Sequence, residues 1–126
     1  MKAENIKFRG KSKKTGEWLY GDLEYNRKKD IAIIHSYDDE GGYIGQQEVD
    51  KETIGQFTGL YDESGKAVFE GDLLSDYDNV IEVVWHDAGF CYCNTNNIVP
   101  LRYLDVEDRK VIGNIYDNKE LLKARI

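Results

Sequence analysis

Cysteine, histidine, methionine and proline are all scarce: two, two, one and one among 126 residues. Cys91 and Cys93 are separated by one residue, so on a strand both point to the same face. That spacing suits neither an ordinary disulfide nor a zinc knuckle, and buried thiols are expected. Trp85-His86-Asp87 sets a histidine beside an aspartate, as in metal phosphohydrolases. Such sites draw on further His and Asp ligands from other elements, and the only other histidine is His35. A centre combining His35, His86, Asp87 and Cys91 or Cys93 is therefore set aside in favour of a strand end and turn. Asp38-Asp39-Glu40-Gly41-Gly42 lacks the alternating oxygen ligands and distant glutamate of a calcium loop, and reads as a hairpin turn. Neither a Gly-x-Ser-x-Gly elbow nor a phosphate-binding glycine loop is present. No catalytic, cofactor-binding or metal-binding residue is expected, and no cofactor.

Long apolar runs are missing too. Nothing approaches the roughly 20 consecutive apolar residues of a membrane-spanning helix. Met1-Lys2-Ala3-Glu4-Asn5 leads into a strand pattern instead of the apolar region of a signal peptide, so a cytoplasmic location is expected.

Charge and turn residues are plentiful. The formal net charge is −7, unevenly spread. Residues 1–29 hold nine Lys and Arg against four Asp and Glu, whereas residues 30–126 hold eight against twenty. Overall acidity opposes general polyphosphate binding, because that affinity comes largely from neutralised charge. The basic amino-terminal region is the one local exception. There Trp18, Tyr20 and Tyr25 accompany Lys11, Lys13, Lys14, Arg27, Lys28 and Lys29, the ingredients of a base-stacking surface in a basic groove.

Short apolar and β-branched runs punctuated by Gly, Asp and Asn predict a mainly β chain. Thr53 to Leu74 reads as a hairpin with its turn at Asp62-Glu63-Ser64-Gly65. Asp62 suits the first turn position and Gly65 the positive φ that closes it. Glu70-Gly71-Asp72 then breaks the second strand with a bulge or barrel corner. Thr15 to Leu23 repeats the pattern of turn, Gly, aromatic and Gly-Asp-Leu, predicting a related corner.

Strands are further expected over Ile6–Arg9, Trp18–Tyr25, Ile31–Tyr37, Tyr43–Val49, Val80–Trp85, Phe90–Cys93 and Val111–Tyr116. Asp50–Thr53 reads as a capped turn, Thr95–Asn97 as a polar loop and Pro100 as a strand end. Asp117 with Glu120 three residues on forms a capping-box pattern opening a short helix, whose Leu121 and Leu122 must dock on the β core. The expected fold is all-β with one short C-terminal helix, forming a small β-barrel or two fused small barrel-like modules. The length suits a single domain, either undivided or made of two submodules over about 1–52 and 53–126.

Several of these segments taken together resemble one family. Val49-Asp50-Lys51-Glu52-Thr53-Ile54-Gly55-Gln56-Phe57-Thr58-Gly59-Leu60, Phe69-Glu70-Gly71-Asp72-Leu73, Ile112-Gly113-Asn114-Ile115-Tyr116 and Glu120-Leu121-Leu122 are similar to the YopX proteins of phages and prophages. Ile6-Lys7-Phe8-Arg9 and Tyr20-Gly21-Asp22 resemble that family's opening. Lys119 departs from the proline that members often carry before Glu-Leu. The resemblance implies a β-rich bacterial phage protein and brings no catalytic residues.

The function expected on these grounds is a non-enzymatic module that binds a protein partner. The alternative is a nucleic-acid accessory protein contacting its ligand through Lys11, Lys13, Lys14, Trp18, Tyr20, Arg27, Lys28 and Lys29. A metal-dependent hydrolase ranks third. No membrane partner is expected, and pairing of the basic and acidic regions between copies is open.

Overall fold

The computed structural model describes residues 2–94 and 97–124, the last two by backbone alone. Eleven strands occur among them: β1 (Phe8–Lys11), β2 (Trp18–Asn26), β3 (Ile31–Tyr37), β4 (Tyr43–Val49), β5 (Gly55–Tyr61), β6 (Ala67–Phe69), β7 (Asp72–Asp76), β8 (Asn79–His86), β9 (Gly89–Cys93), β10 (Ile98–Pro100) and β11 (Val111–Asn114). They form a six-stranded sheet ordered β4-β3-β2-β1-β5-β6 and a five-stranded sheet ordered β10-β9-β8-β7-β11. The recorded pairings are antiparallel. All helical segments among the described residues are short 3-10 turns. The loop expected at Thr95–Asn97 lies, apart from Asn97, outside the described residues.

The chain divides into two compact units, residues 1–57 and 58–126. In the first, Ala32, Ile34 and Val49 are buried, with Phe8, Leu19, Leu23 and Ile54 packed against them. These residues come from alternate positions of their strands, the period that puts one face of a sheet inward. The second unit has its own core of Val68, Leu74, Ile81, Val83, Leu101, Val106 and Val111. Val83 and Ile81 lie on β8, between β7 and β9, as its β-branched composition requires of a central strand. Each fully buried aliphatic side chain of this kind contributes roughly 1.5–3 kcal/mol.

The two corners seen in the sequence share a local construction. Ser12 Oγ accepts from the backbone N–H groups of Lys14 and Thr15, and Gly16 N donates to Ser12 O. Asp62 Oδ1 accepts from Ser64 N and Lys66 N, and Gly65 N donates to Asp62 O. Gly16 and Gly65 have φ of 76° and 80°, the left-handed conformation that closes each turn without a Cβ clash. Farther on, the pairing of β2 passes from β1 to β3 after Gly21, and in the second unit Gly71 separates β6 from β7. The aspartates that follow differ. Asp72 is buried and accepts from Phe69 N at 2.8 Å, while Asp22 is exposed on the sheet surface.

Three expectations need correction. Among the described residues no closed barrel forms. The end of β4 returns to the end of β1 through the bridge Ser12↔Val49, with Lys13 N donating to Glu48 O at 3.1 Å and Asp50 N to Lys11 O at 2.8 Å. Beyond Lys13 the turn leaves, and β4 remains the terminal strand of its sheet. The C-terminal helix is a 3-10 segment, Lys119–Ala124, and the turn before it is built on Asn114 instead of an Asp117 cap. Asn114 Oδ1 accepts from Tyr116 N and Asp117 N, both at 2.9 Å, and Leu121 N donates three residues back to Asn118 O. A six-residue segment is too short to recover the cost of nucleating an α-helix, and 3-10 bonds serve it instead. It packs against β8. Finally, the first strand begins at Phe8, Ala3–Asn5 being a 3-10 turn, and the last ends at Asn114.

Candidate functional site

Strand alternation sorts the first unit into two faces. Phe8, Leu19, Leu23, Ala32 and Ile34 point to the core, so Arg9, Lys11, Trp18, Tyr20, Asp22, Glu24, His35 and Tyr37 share the opposite face. Register pairs Lys11 with Trp18, Arg9 with Tyr20 and Asp22 with His35. The guanidinium of Arg9 stacks 4.7 Å from the centre of the Trp18 ring, and the Lys11 ammonium lies 5.6 Å from it. Arg9 is only 4% exposed, so this cation is held against the indole instead of being offered to solvent.

Farther along the face, His35 Nε2 meets Glu24 Oε1 at 2.8 Å and its Nδ1 meets the Tyr43 hydroxyl at 3.1 Å. Tyr43 packs edge-on against Tyr37, ring centres 5.5 Å apart. A hydrogen bond to Asp22 raises the Tyr37 hydroxyl above its ordinary pKa. Tyr20, Tyr37 and Tyr43 are nonetheless about half exposed, giving an aromatic surface with polar rims.

Of the six basic residues singled out from sequence, Lys11, Lys13 and Arg27 are engaged with a carboxylate or a ring. Lys13 Nζ pairs with Glu48 Oε2 at 2.8 Å. Lys14 is exposed on the same turn. Arg27 lies 5.7 Å from the Tyr25 ring, and Lys28 and Lys29 sit in the turn between β2 and β3, where Lys29 N donates to Asn26 Oδ1. Asp30 closes that turn with φ of 54°. Its carboxylate bonds Lys51 and the Tyr25 hydroxyl, which lower its pKa with a further contribution from Lys13. That Lys13 acts on Asp30 places the two basic turns near each other. Residues 1–57 together hold ten Lys and Arg against eleven Asp and Glu, so the local basic patch is neutralised within its own unit.

The sequence reading missed the edge of β4. Glu48 O accepts from Lys13 N, so the backbone groups of Glu48 point away from β3. By the two-residue period those of Gln46 do as well. A depression of about 690 Å³ lies along this edge, between Lys13, Lys14 and Thr15 on one side and Gln46, Gln47 and Glu48 on the other. A second, of about 240 Å³, is lined by Leu19, Ser36, Ile44, Gly45, Gln46 and Gln47. Ser12 Oγ donates to Gln47 Oε1 at 2.7 Å and ties the turn to the strand at one end of the depression. The register of β3 and β4 shifts between Ser36 and Tyr37, and Ile44, left without a partner by that bulge, is 66% exposed. Sequence alternation marks Tyr43–Val49 as a strand but carries no signal that its outer edge is open.

In the second unit, His86-Asp87-Ala88-Gly89 is the two-residue hairpin between β8 and β9, with φ of 49° at Asp87 and 63° at Ala88. His86 Nε2 lies 3.4 Å from Asp87 Oδ2, and the Cys91 thiol donates to His86 O at 3.8 Å. Cys91 and Cys93 are free thiols. Among the described residues no group of three or more His, Cys, Asp and Glu side chains is placed to hold a metal ion. No helix among them is long and apolar enough to cross a membrane.

A family model described as YopX protein matches residues 7–123. No curated protein matches. Among solved structures, the crystal structure of protein EF1440 from Enterococcus faecalis is similar, with a TM-score of 0.57 and 27% identity over 93% of this chain and 97% of that one.

Proposed function

This chain belongs to the YopX protein family, and we propose that it acts as a non-enzymatic module that binds a protein partner through its first unit. The observation that carries this reading is the half-exposed aromatic surface of Tyr20, Tyr37 and Tyr43 beside the open edge of β4. Tyrosine offers a large contact area with little side-chain entropy to lose, and is enriched where protein surfaces meet. The barrel-like wrapping expected of each unit belongs to the same reading. A bacterial, phage-derived origin and a cytoplasmic site of action complete it.

The test is capture by the tagged chain from phage-bearing bacterial cells, with nuclease treatment. A protein retained by the wild type and lost on combined Tyr37→Ala and Tyr43→Ala substitution supports the reading. Loss of every captured protein on nuclease treatment contradicts it.

A nucleic-acid accessory role is the second reading, favoured by the cross-strand cluster of Arg9, Lys11, Trp18 and Tyr20. Phosphate contacts release counterions, so such binding would weaken steeply with salt and on neutralising Lys13, Lys14, Lys28 and Lys29. Binding indifferent to both would exclude it. The near-even balance of ten basic and eleven acidic residues within residues 1–57 favours protein binding over it.

A further inference from the structure

The two units treat corresponding edges differently. In each, a turn built on Ser12 or Asp62 is followed by a glycine-bent segment and two antiparallel strands, β3 and β4 in the first unit, β8 and β9 in the second. In the second unit the far edge of β9 is covered: β10 pairs with it through Ile98↔Cys93, Val99↔Tyr92 and Pro100↔Cys91. Among the described residues of the first unit no strand lies beyond β4. The ladder that starts at Ser12↔Val49 stops at Lys13, leaving the outward backbone groups of Gln46 to face the depression between the turn and the strand.

An open edge of this kind presents backbone donors and acceptors in the geometry of a missing strand. The flanking side chains say which strand fits. Leu19 and Ile44 line one depression with apolar surface, while in the other Lys13 is paired with Glu48 and the exposed Lys14 contributes positive charge. Resting on the protein-binding reading above, we infer that β4 accepts an extended segment of the partner protein by strand addition, pairing along Ile44–Glu48. The segment carries an apolar side chain for the Leu19 and Ile44 surface and an acidic one for Lys14. Backbone hydrogen bonds supply affinity, and these two side-chain positions supply specificity.

Proline at Gln46 offers a selective probe. It removes an N–H that points away from β3, a substitution that edge strands tolerate, whereas Gln46→Ala removes the side chain and keeps that N–H. The experiment selects a displayed library of random octapeptides on the immobilised full chain, then measures binding of enriched peptides to the wild type and both variants. The expected result is peptides that alternate apolar and acidic residues, bound about tenfold or more weakly by Gln46→Pro and within about twofold by Gln46→Ala. Failure to enrich any peptide above the tag alone overturns the inference, as does equal binding by wild type and Gln46→Pro, or equal loss in both variants. Should Gln46→Pro melt at a lower temperature, Ile44→Lys decides instead, since that exposed position can take a charge that blocks strand addition. Tenfold weaker binding then supports the inference and unchanged binding overturns it. If the wild type still retains a protein from nuclease-treated cells while peptide binding fails, strand addition falls and the protein-binding reading stands.

Discussion

Replacing Asp62 with alanine should destabilise the second unit by about 3 kcal/mol. Asp62 is 5% exposed and its carboxylate accepts three backbone hydrogen bonds, from Ser64 N at 2.9 Å, Lys66 N at 2.8 Å and Val111 N at 2.9 Å. The two turn donors can turn to water when the carboxylate is gone. Val111 N–H cannot: it is buried where β11 meets β7, and an unsatisfied buried donor costs about 1–3 kcal/mol. Loss of two charge-assisted turn bonds, discounted for their access to water, adds about 1 kcal/mol.

The chain has one tryptophan in each unit, Trp18 and Trp85, so Trp18→Phe leaves Trp85 as reporter of the second. Urea unfolding followed by Trp85 fluorescence should show a midpoint lower by about 1.5 M at an ordinary slope of about 2 kcal/mol/M.

The acid limb gives an independent check. Burial alone would raise the Asp62 pKa, but the three N–H donors outweigh it and hold the carboxyl below the ordinary value of 3.8. The stability this contributes is present in full above that ordinary value and is lost as pH falls through the lower folded value. The gap between wild type and Asp62→Ala should therefore be constant near neutrality and narrow below about pH 4. A midpoint shift under about 0.3 M, or a gap that does not change with pH, would refute the reasoning.

Gly21→Ala should destabilise the first unit by at least about 1–3 kcal/mol, since a Cβ there would meet His35 O at 1.9 Å and the backbone would have to move. Trp18 fluorescence in a Trp85→Phe background reads this directly. Ala88→Gly should stabilise the second unit by about 1 kcal/mol in the same urea assay, because Ala88 holds φ of 63° in a turn that favours glycine there. Combined alanine substitution of His86, Asp87, Cys91 and Cys93, or dialysis against a chelator, should leave partner capture unchanged; a metal-dependent activity lost in that variant would restore the hydrolase reading.

Local chemistry made much of the fold legible. Asp62 and Gly65 announced a turn because the carboxylate and the positive φ act over a few residues, and both appear as expected. Alternation in Trp18–Tyr25 assigned Leu19 and Leu23 to one face and Trp18 and Tyr20 to the other, which the register reproduces. The similarity between Thr15–Leu23 and Ser64–Leu73 likewise reflects a shared turn and bend. What depended on distant partners was hidden. Asp117 and Glu120 fit a capping box, but Asn114 takes the Asp117 N–H that the Glu120 side chain would have accepted. Lys13 counted toward a basic patch because its partner Glu48 arrives from elsewhere in the sequence. Arg9 gave no sign that it would be buried on Trp18. The open edge of β4 depends on where the Ser12 turn departs, which no local pattern in Tyr43–Val49 encodes.

Amide hydrogen exchange on the full chain, with and without its captured partner, addresses the central claim most directly. Outward-facing edge amides exchange quickly until a partner strand covers them. The account predicts that the amides of Gln46 and Glu48 slow on partner binding, while those of β8 in the second unit do not change. Unchanged exchange along β4, with protection appearing only in the second unit, would contradict it.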